Sequence, residues 1–244
     1  MNGFTDVFDE CEKNYINNFV DFSRFREDYK TWWFILSNEL LDFNALSISN
    51  EINPELFSRY LNIPKSKLGY TENVEYKLID INDSRHIMMS TIIFSHKNDF
   101  ENIVEIGAGY GNWYRLNQTI ANHNTWTMID LPFVSNLQKW YLENEVNDLS
   151  KARFLTNSDQ VSDKIDLVIG AHSISELSWE NFEYYYYNVI VKSEYFFYAG
   201  HRFNCGEDLL TMKLDKITED FDLIISIMTE DNNVYNNLYR KKNN

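Results

Sequence analysis

The run Val104-Glu105-Ile106-Gly107-Ala108-Gly109-Tyr110-Gly111 places three glycines at alternate positions directly behind a short apolar segment, and few folds accommodate that order. Glycine enters left-handed backbone at little steric cost, so such a turn brings main chain close to a ligand while Glu105 stays near the strand tip. From Asn102 onward, short apolar runs alternate with helical periodicity. That alternation predicts an α/β fold, a parallel sheet with helices on both faces. Strands are expected at about 102–107, 125–130, 152–156, 165–170 and 194–200, and helices at about 111–122, 134–145, 179–191 and 207–219. Phe221 to Met228 and Val234 to Arg240 read as an antiparallel hairpin around Glu230-Asp231-Asn232-Asn233.

The N-terminal third is different. From Phe4 to about Asn44, apolar residues recur at helical spacing (Tyr15, Phe19, Phe22, Phe25, then Trp33, Ile35, Leu36, Leu40, Leu41), which predicts two helices with one buried face. Asn53-Pro54-Glu55 has the form of a helix start, with Asn as cap and Pro in the first turn. The stretch from Pro64 to Asn82 reads as connection. A further helix is expected to begin at the cap Asp83-Ser84 and to carry Ile87, Met88, Thr91 and Ile92 inward. Residues 1–82 are thus expected to form a helical cap and 83–244 the α/β domain, the cap walling a pocket or serving as an oligomer contact.

A formal charge of −15 opposes phosphate backbones, whose binding depends on Lys and Arg displacing counterions, so nucleic acid is not an expected partner. Met1 to Phe19 shows no continuous apolar signal, and no apolar run has spanning length, which predicts a soluble, cytoplasmic chain without a membrane span. Cys11 and Cys205 form neither a disulfide framework nor a metal-ligand spacing, in keeping with a reducing compartment.

A nicotinamide fingerprint, G-x-G-x-x-G, would require glycine where this chain has Asn112. The spacing is G-x-G-x-G. Asp130 closes the second strand, placed to accept two ribose hydroxyls. Glu105, Gly107, Gly109, Gly111 and Asp130 together point to a nucleoside site.

An acid followed by G-x-G-x-G resembles the first motif of the S-adenosylmethionine-dependent methyltransferases of Rossmann-like (class I) fold, and the closing hairpin fits that likeness. Val104 to Gly111, Ile129 to Pro132 with Gln138 to Leu142, and His172 to Leu177 look like three signatures of the sugar O-methyltransferase family, over about 102 to 201. The third departs from that family at Ile174 and Leu177, which leaves the acceptor more open than the cofactor. The resemblance implies S-adenosyl-L-methionine as cofactor. Glu105 and the three glycines would then hold its methionine part and Asp130 its ribose, with Leu131 against the adenine and Ser158 and Asp159 near the adenine amino group. It implies methyl transfer to a hydroxyl of a sugar or glycan precursor. Two alternatives stay open: another small hydroxylated or carboxylated metabolite as acceptor, or a non-catalytic binding protein on this fold.

Transfer to a hydroxyl calls for a base, and His is the residue most used for that task. His172 and His201 follow predicted strands at the carboxyl ends where open α/β sheets bind ligands, whereas His86, His96 and His123 fall at helices and read as solvated or capping. His172 leads, with Glu176 to orient it or to take the proton itself, and His201 next. Ser173 and Tyr110 are candidate acceptor contacts, and Tyr110 and Trp113 stand where they could also touch the cofactor. Ser175 and Ser178 read as helix caps. Tyr184 to Tyr187 cannot all face one pocket, since four neighbours on a helix point around its circumference. No acidic cluster suggests a metal, and Asp166 falls at the wrong end of its strand.

Overall fold

The computed structural model describes residues 12–13, 15, 22–26, 42–66, 68, 81–201, 207–229 and 234–243. The expectations for Phe19, Trp33 to Leu41, both cysteines and the turn 230–233 lie outside these residues.

The sheet has seven strands: β1 (Asn102–Ile106), β2 (Thr125–Ile129), β3 (Ala152–Leu155), β4 (Ile165–Ala171), β5 (Ser193–His201), β6 (Phe221–Thr229) and β7 (Val234–Lys241), in the order β3-β2-β1-β4-β5-β7-β6. β1 to β5 pair in parallel. β7 runs antiparallel to both β5 and β6, so the expected hairpin closes the sheet, with β7 inserted inside β6. The chain reverses its direction of winding between β1 and β4, which opens a crevice at their carboxyl ends.

Side chains along the strands alternate between two cores, as the two-residue period of a strand requires. Ile103, Met128, Leu167, Ile169, Phe197 and Leu238 face one side; Val104, Ile106, Ile129, Val168, Phe196 and Tyr239 face the other. The first face is covered by α1 (Phe43–Ile52), α2 (Pro54–Leu61), α3 (Ile81–His96), α4 (Asn112–Asn117) and α5 (Pro132–Glu145). The second lies under α6 (Ser173–Glu176), α7 (Trp179–Asn188) and α8 (Glu207–Asp220). Ala45, Leu56 and Tyr60, from the N-terminal third, belong to the same core as the first face of the sheet.

Local signals explain most helix starts. Asp42 accepts from Ala45 N at 2.9 Å and Asn53 from Leu56 N at 3.0 Å, with Pro54 in the first turn. Two of the boundaries that differ from the pattern have a visible cause. α3 is already helical at Ile81, so Asp83 lies inside it, engaged by Arg115 rather than acting as cap. α4 ends at Asn117: Ile120 N and Ala121 N both bond to Asn117 O, while the Asn117 side chain joins Tyr60, Ser90 and Trp113 O, so the chain turns away.

Candidate functional site

All three glycines of the turn after β1 are left-handed: φ is +72° at Gly107, +56° at Gly109 and +85° at Gly111. The turn is tied back to β2, since Gly107 N donates to Ile129 O at 2.8 Å and Gly109 N to Asp130 Oδ2 at 2.8 Å. Gly111 caps α4, and a Cβ there would meet Leu142 Cδ1 of α5 at 2.9 Å. Glycine is therefore demanded twice over at that position, by dihedral and by contact.

Asp130 is consumed largely by the protein. Oδ1 accepts from Leu131 N at 2.8 Å, and Oδ2 from Gly109 N and, at 3.3 Å, from Gln138 Nε2. A carboxylate offers about four lone-pair sites, so one further donor can be accepted without breaking the turn. Burial pushes its carboxyl up to about 7, opposed by the Leu131 and Gly109 amides. Gln138 is fully buried, and its Oε1 has no partner among the described residues. A spare acceptor beside Asp130 suits a ligand that brings hydroxyl or amino donors. Glu105, on the opposite face from Val104 and Ile106, accepts from Trp126 Nε1 at 2.9 Å; burial pushes it up to about 8.

At the end of β4 the chain passes into His172, the cap residue of α6, whose φ of +62° and ψ of −38° are strained for a residue with a side chain. His172 N donates to Ala199 O of β5 at 2.6 Å. The next three residues each press on one glycine. A Cβ at Gly107 would stand 2.3 Å from Ser173 Cβ, one at Gly170 2.3 Å from Ile174 Cγ1, and one at Gly200 2.9 Å from Ser175 Cβ. Lys213 of α8 completes the clamp: its buried ammonium donates to the carbonyls of Ile174 at 3.0 Å, Ser175 at 3.0 Å and Leu177 at 2.6 Å. Burial raises Glu176 to about 7, with the Lys213 charge pulling the other way.

Ser158 Oγ donates to the Tyr184 hydroxyl at 2.7 Å, which reaches Asp159 Oδ1 at 3.4 Å, so α7 is pinned to the loop after β3. The Asp130 carboxylate bears on Tyr185, whose hydroxyl is raised by burial first and by that charge second. Leu131 is 40% exposed at the head of α5. Tyr186 is buried and donates to Asp220, while Tyr184 and Tyr187 are exposed, as helical geometry requires. His201 pairs with Val234 in the sheet; its side chain lies outside the described residues. Ser178 caps α7 through Asn181 N at 3.3 Å, whereas Ser175 Oγ donates back to His172 O inside α6.

Tyr110 and Trp113 are core residues. Tyr110 is 2% exposed between Phe25 and Tyr141, under the Arg26 guanidinium; Trp113 donates to Ser90 and packs on His86 and Phe197. His123 is buried rather than solvated, and burial lowers its basicity. Gln138 and Lys213 carried no signal as site residues in the sequence beyond the former's place in the second motif. Among the described residues no three His, Cys, Asp or Glu side chains converge as a metal site, and no helix is long and apolar enough to cross a membrane.

No protein-family model matches the sequence, and no curated protein does. Solved structures do. Magnesium protoporphyrin IX methyltransferase from Synechocystis PCC 6803, crystallised with SAM, aligns at a TM-score of 0.53 with 14% identity, over 84% of this chain and 100% of that one. The fold is that of the Rossmann-like methyltransferases. The methyltransferase domain of bacterial CtHen1-C aligns at 0.52 and 12% identity over 64% of this chain and 97% of its own. A Thermoplasma acidophilum protein, 1320, aligns at 0.51 and 12% over 80% and 97%. At such identities the likeness speaks for the fold, and the site must be argued from its own residues.

Proposed function

We propose that the chain is an S-adenosylmethionine-dependent O-methyltransferase acting on a hydroxyl of a sugar or glycan precursor. The observation that carries this reading is the left-handed glycine turn, tied to Asp130 through Gly109 N and packed against Ser173, the residue that follows the strained His172. The spare Gln138 acceptor beside Asp130 fits a nucleoside with hydroxyl and amino donors. Glu105, Gly107, Gly109 and Gly111 would hold the methionine end of the cofactor, Asp130 with Gln138 the ribose, and Leu131, Ser158 and Asp159 the adenine. When bound, the cofactor supplies an electrophilic sulfonium methyl.

The chain's own contribution is to hold an acceptor oxygen and remove its proton. Fixing the acceptor in reacting geometry lowers a barrier by up to about 7–11 kcal/mol, and a base adds typically about 10²–10⁴-fold. His172 takes the proton, with Ser173 at the same rim as an acceptor contact. Glu176, raised toward neutrality, orients the imidazole or exchanges its proton; His201, at the end of β5, is the next base to consider.

Calorimetry with S-adenosylmethionine and a labelled-methyl screen against nucleotide sugars and oligosaccharides test the reading. Absence of cofactor binding at millimolar concentration overturns it, and transfer confined to non-sugar acceptors overturns its acceptor part. His172→Ala is expected to lower kcat about 10²–10⁴-fold while cofactor affinity stays within a factor of two.

A further inference from the structure

A groove of about 620 Å³ opens at the end of the sheet remote from the glycine turn. That volume lies within the roughly 300–1,000 Å³ of small-molecule sites. The topology builds it: β4 starts there at Ile165 and β5 at Ser193, and β7, antiparallel to β5, finishes beside them at Lys241. The 7 residues of β4, at about 3.3 Å each, put the groove roughly 20 Å from His172. It is therefore separate from the site of the proposed methyl transfer.

Charge collects in the groove against the trend of the chain. Lys164, Lys192, Arg240, Lys241 and Lys242 line it together with Asp163, Asp166 and Glu194, a local net charge of +2 in a chain of −15. Each of the three carboxylates is engaged. Asp166 Oδ2 accepts from Asn102 N at 2.7 Å, Glu194 pairs with Lys97 at 3.5 Å, and Asp163, 98% exposed, pairs with Lys192 at 3.5 Å. Lys164 reaches Glu101 at 3.0 Å, again between exposed side chains. Such exposed pairs are weak and open readily to another partner.

Arg240, Lys241 and Lys242 have no acid to cancel them among the described residues. The Arg240 guanidinium lies over the Tyr195 ring, 5.8 Å from its centroid, and forms no ion pair there; Asp222 stands opposite it in the register of β6 and β7 without pairing. Lys241 Nζ donates to Val191 O, and Lys242 Nζ to Thr218 O at 2.6 Å and Glu219 O at 3.2 Å. The Glu219 carboxylate is taken by Lys216 at 2.6 Å. A carbonyl satisfies one donor of an ammonium and leaves its charge and its other donors in place.

We infer that this groove binds an oligophosphate, either a free chain or the phosphates of a nucleotide. A guanidinium presents paired N–H donors that match two phosphate oxygens, and ammoniums beside it act as point charges. Successive phosphates bring several negative charges along one groove, where they meet several of these cations at once. The inference goes beyond the methyltransferase reading and does not depend on it.

Tripolyphosphate titrated into the ¹⁵N-labelled full-length protein tests the groove. Saturable shifts are expected at the amides of residues 163–166, 192–194 and 240–243, with those of 107–111 unmoved. Binding should weaken about fivefold or more between 50 and 500 mM sodium chloride, because salt screens exposed charges. Arg240→Gln and Lys241→Gln are each expected to weaken it about tenfold by removing a charge-assisted partner. Both positions are exposed, so the melting temperature should stay within about 2 °C. Lys139→Gln, at an exposed lysine of α5 outside the groove, should leave binding unchanged. Uridine diphosphate compared with pyrophosphate separates the two sources: tighter binding of the former points to nucleotides, equal binding to the free chain, and either supports the groove. Lack of saturation or shifts scattered over lysines across the surface overturns the inference, and neither readout depends on a variant folding. Equal weakening by Lys139→Gln, or tighter binding of a twelve-nucleotide oligouridylate than of tripolyphosphate, overturns it as well.

Discussion

Ser173 sits directly on Gly107: a Cβ at position 107 would stand 2.3 Å from Ser173 Cβ, and Ser173 Oγ donates to the carbonyl of Ile106 just before it. The turn after β1 and the turn after β4 are thus built against each other. Gly107→Ala should lose stability through two causes, a left-handed alanine costing about 1–2 kcal/mol and the contact with Ser173. A fall in melting temperature of at least about 4 °C is expected, taking roughly 2–4 °C per kcal/mol for a chain of this size. Adding Ser173→Gly should recover the contact part and leave the dihedral part. Strictly additive losses in that double-mutant cycle would assign the damage elsewhere.

Glu105 and Asp130 make stability depend on pH. Their folded-state values, about 8 and about 7, stand above the ordinary 4.5 and 3.8, with burial as the leading cause. The stability each contributes is therefore complete below its ordinary value and is lost as pH rises through its folded value. Without ligand, the melting temperature should fall between pH 5 and pH 8 on account of these two groups. Glu105→Gln keeps an acceptor for Trp126 Nε1 and should flatten the part between pH 7 and 8. A melting series that rises across this window, or one that the substitution leaves unchanged, would contradict the assignment.

If the ammonium of the proposed cofactor approaches Glu105, that carboxyl must ionise, because a nearby cation favours the charged form. Cofactor binding at pH 7 should then release close to one proton, seen as a binding enthalpy that varies with the ionisation enthalpy of the buffer. The dependence should vanish in Glu105→Gln. Equal enthalpies in all buffers for the wild type would place the ammonium elsewhere.

Lys213 holds the His172–Leu177 turn through three carbonyls. Lys213→Met leaves those three buried acceptors without their ammonium, and at roughly 1–3 kcal/mol per unsatisfied group a loss of at least about 3 kcal/mol is expected. It also removes the cation that restrains Glu176, whose carboxyl should titrate above its present value of about 7. Thermal melts and a carbon-detected titration of Glu176 measure the two effects. Loss of stability with no movement of Glu176 would make Lys213 a brace without electrostatic influence on the site.

Much of this architecture was legible because its signals are local. Glycines at 107, 109 and 111, Pro54 and Pro132 in first turns, Ser178 as a cap and the two-residue alternation of β1 to β5 act over a few neighbours. Their meaning does not wait for the rest of the chain. The parallel order of strands, the closing hairpin and the crevice at the switch point follow from that succession of elements.

Side-chain environment is different, because it depends on which distant segments meet. Tyr110 and Trp113 stand beside the glycine turn in sequence, yet Phe25, Tyr141, Ser90 and Phe197 enclose them. Lys213 has no marking in the sequence, and it becomes a clamp because α8 brings its ammonium onto the carbonyls of the turn after β4. The sequence by itself determined the glycine turn, the flanking acids and the succession of strands and helices along the chain, through short-range sterics and periodicity. Only the tertiary structure decided which polar groups ended up buried and paired at the site, since burial and pairing belong to contacts between segments far apart along the chain.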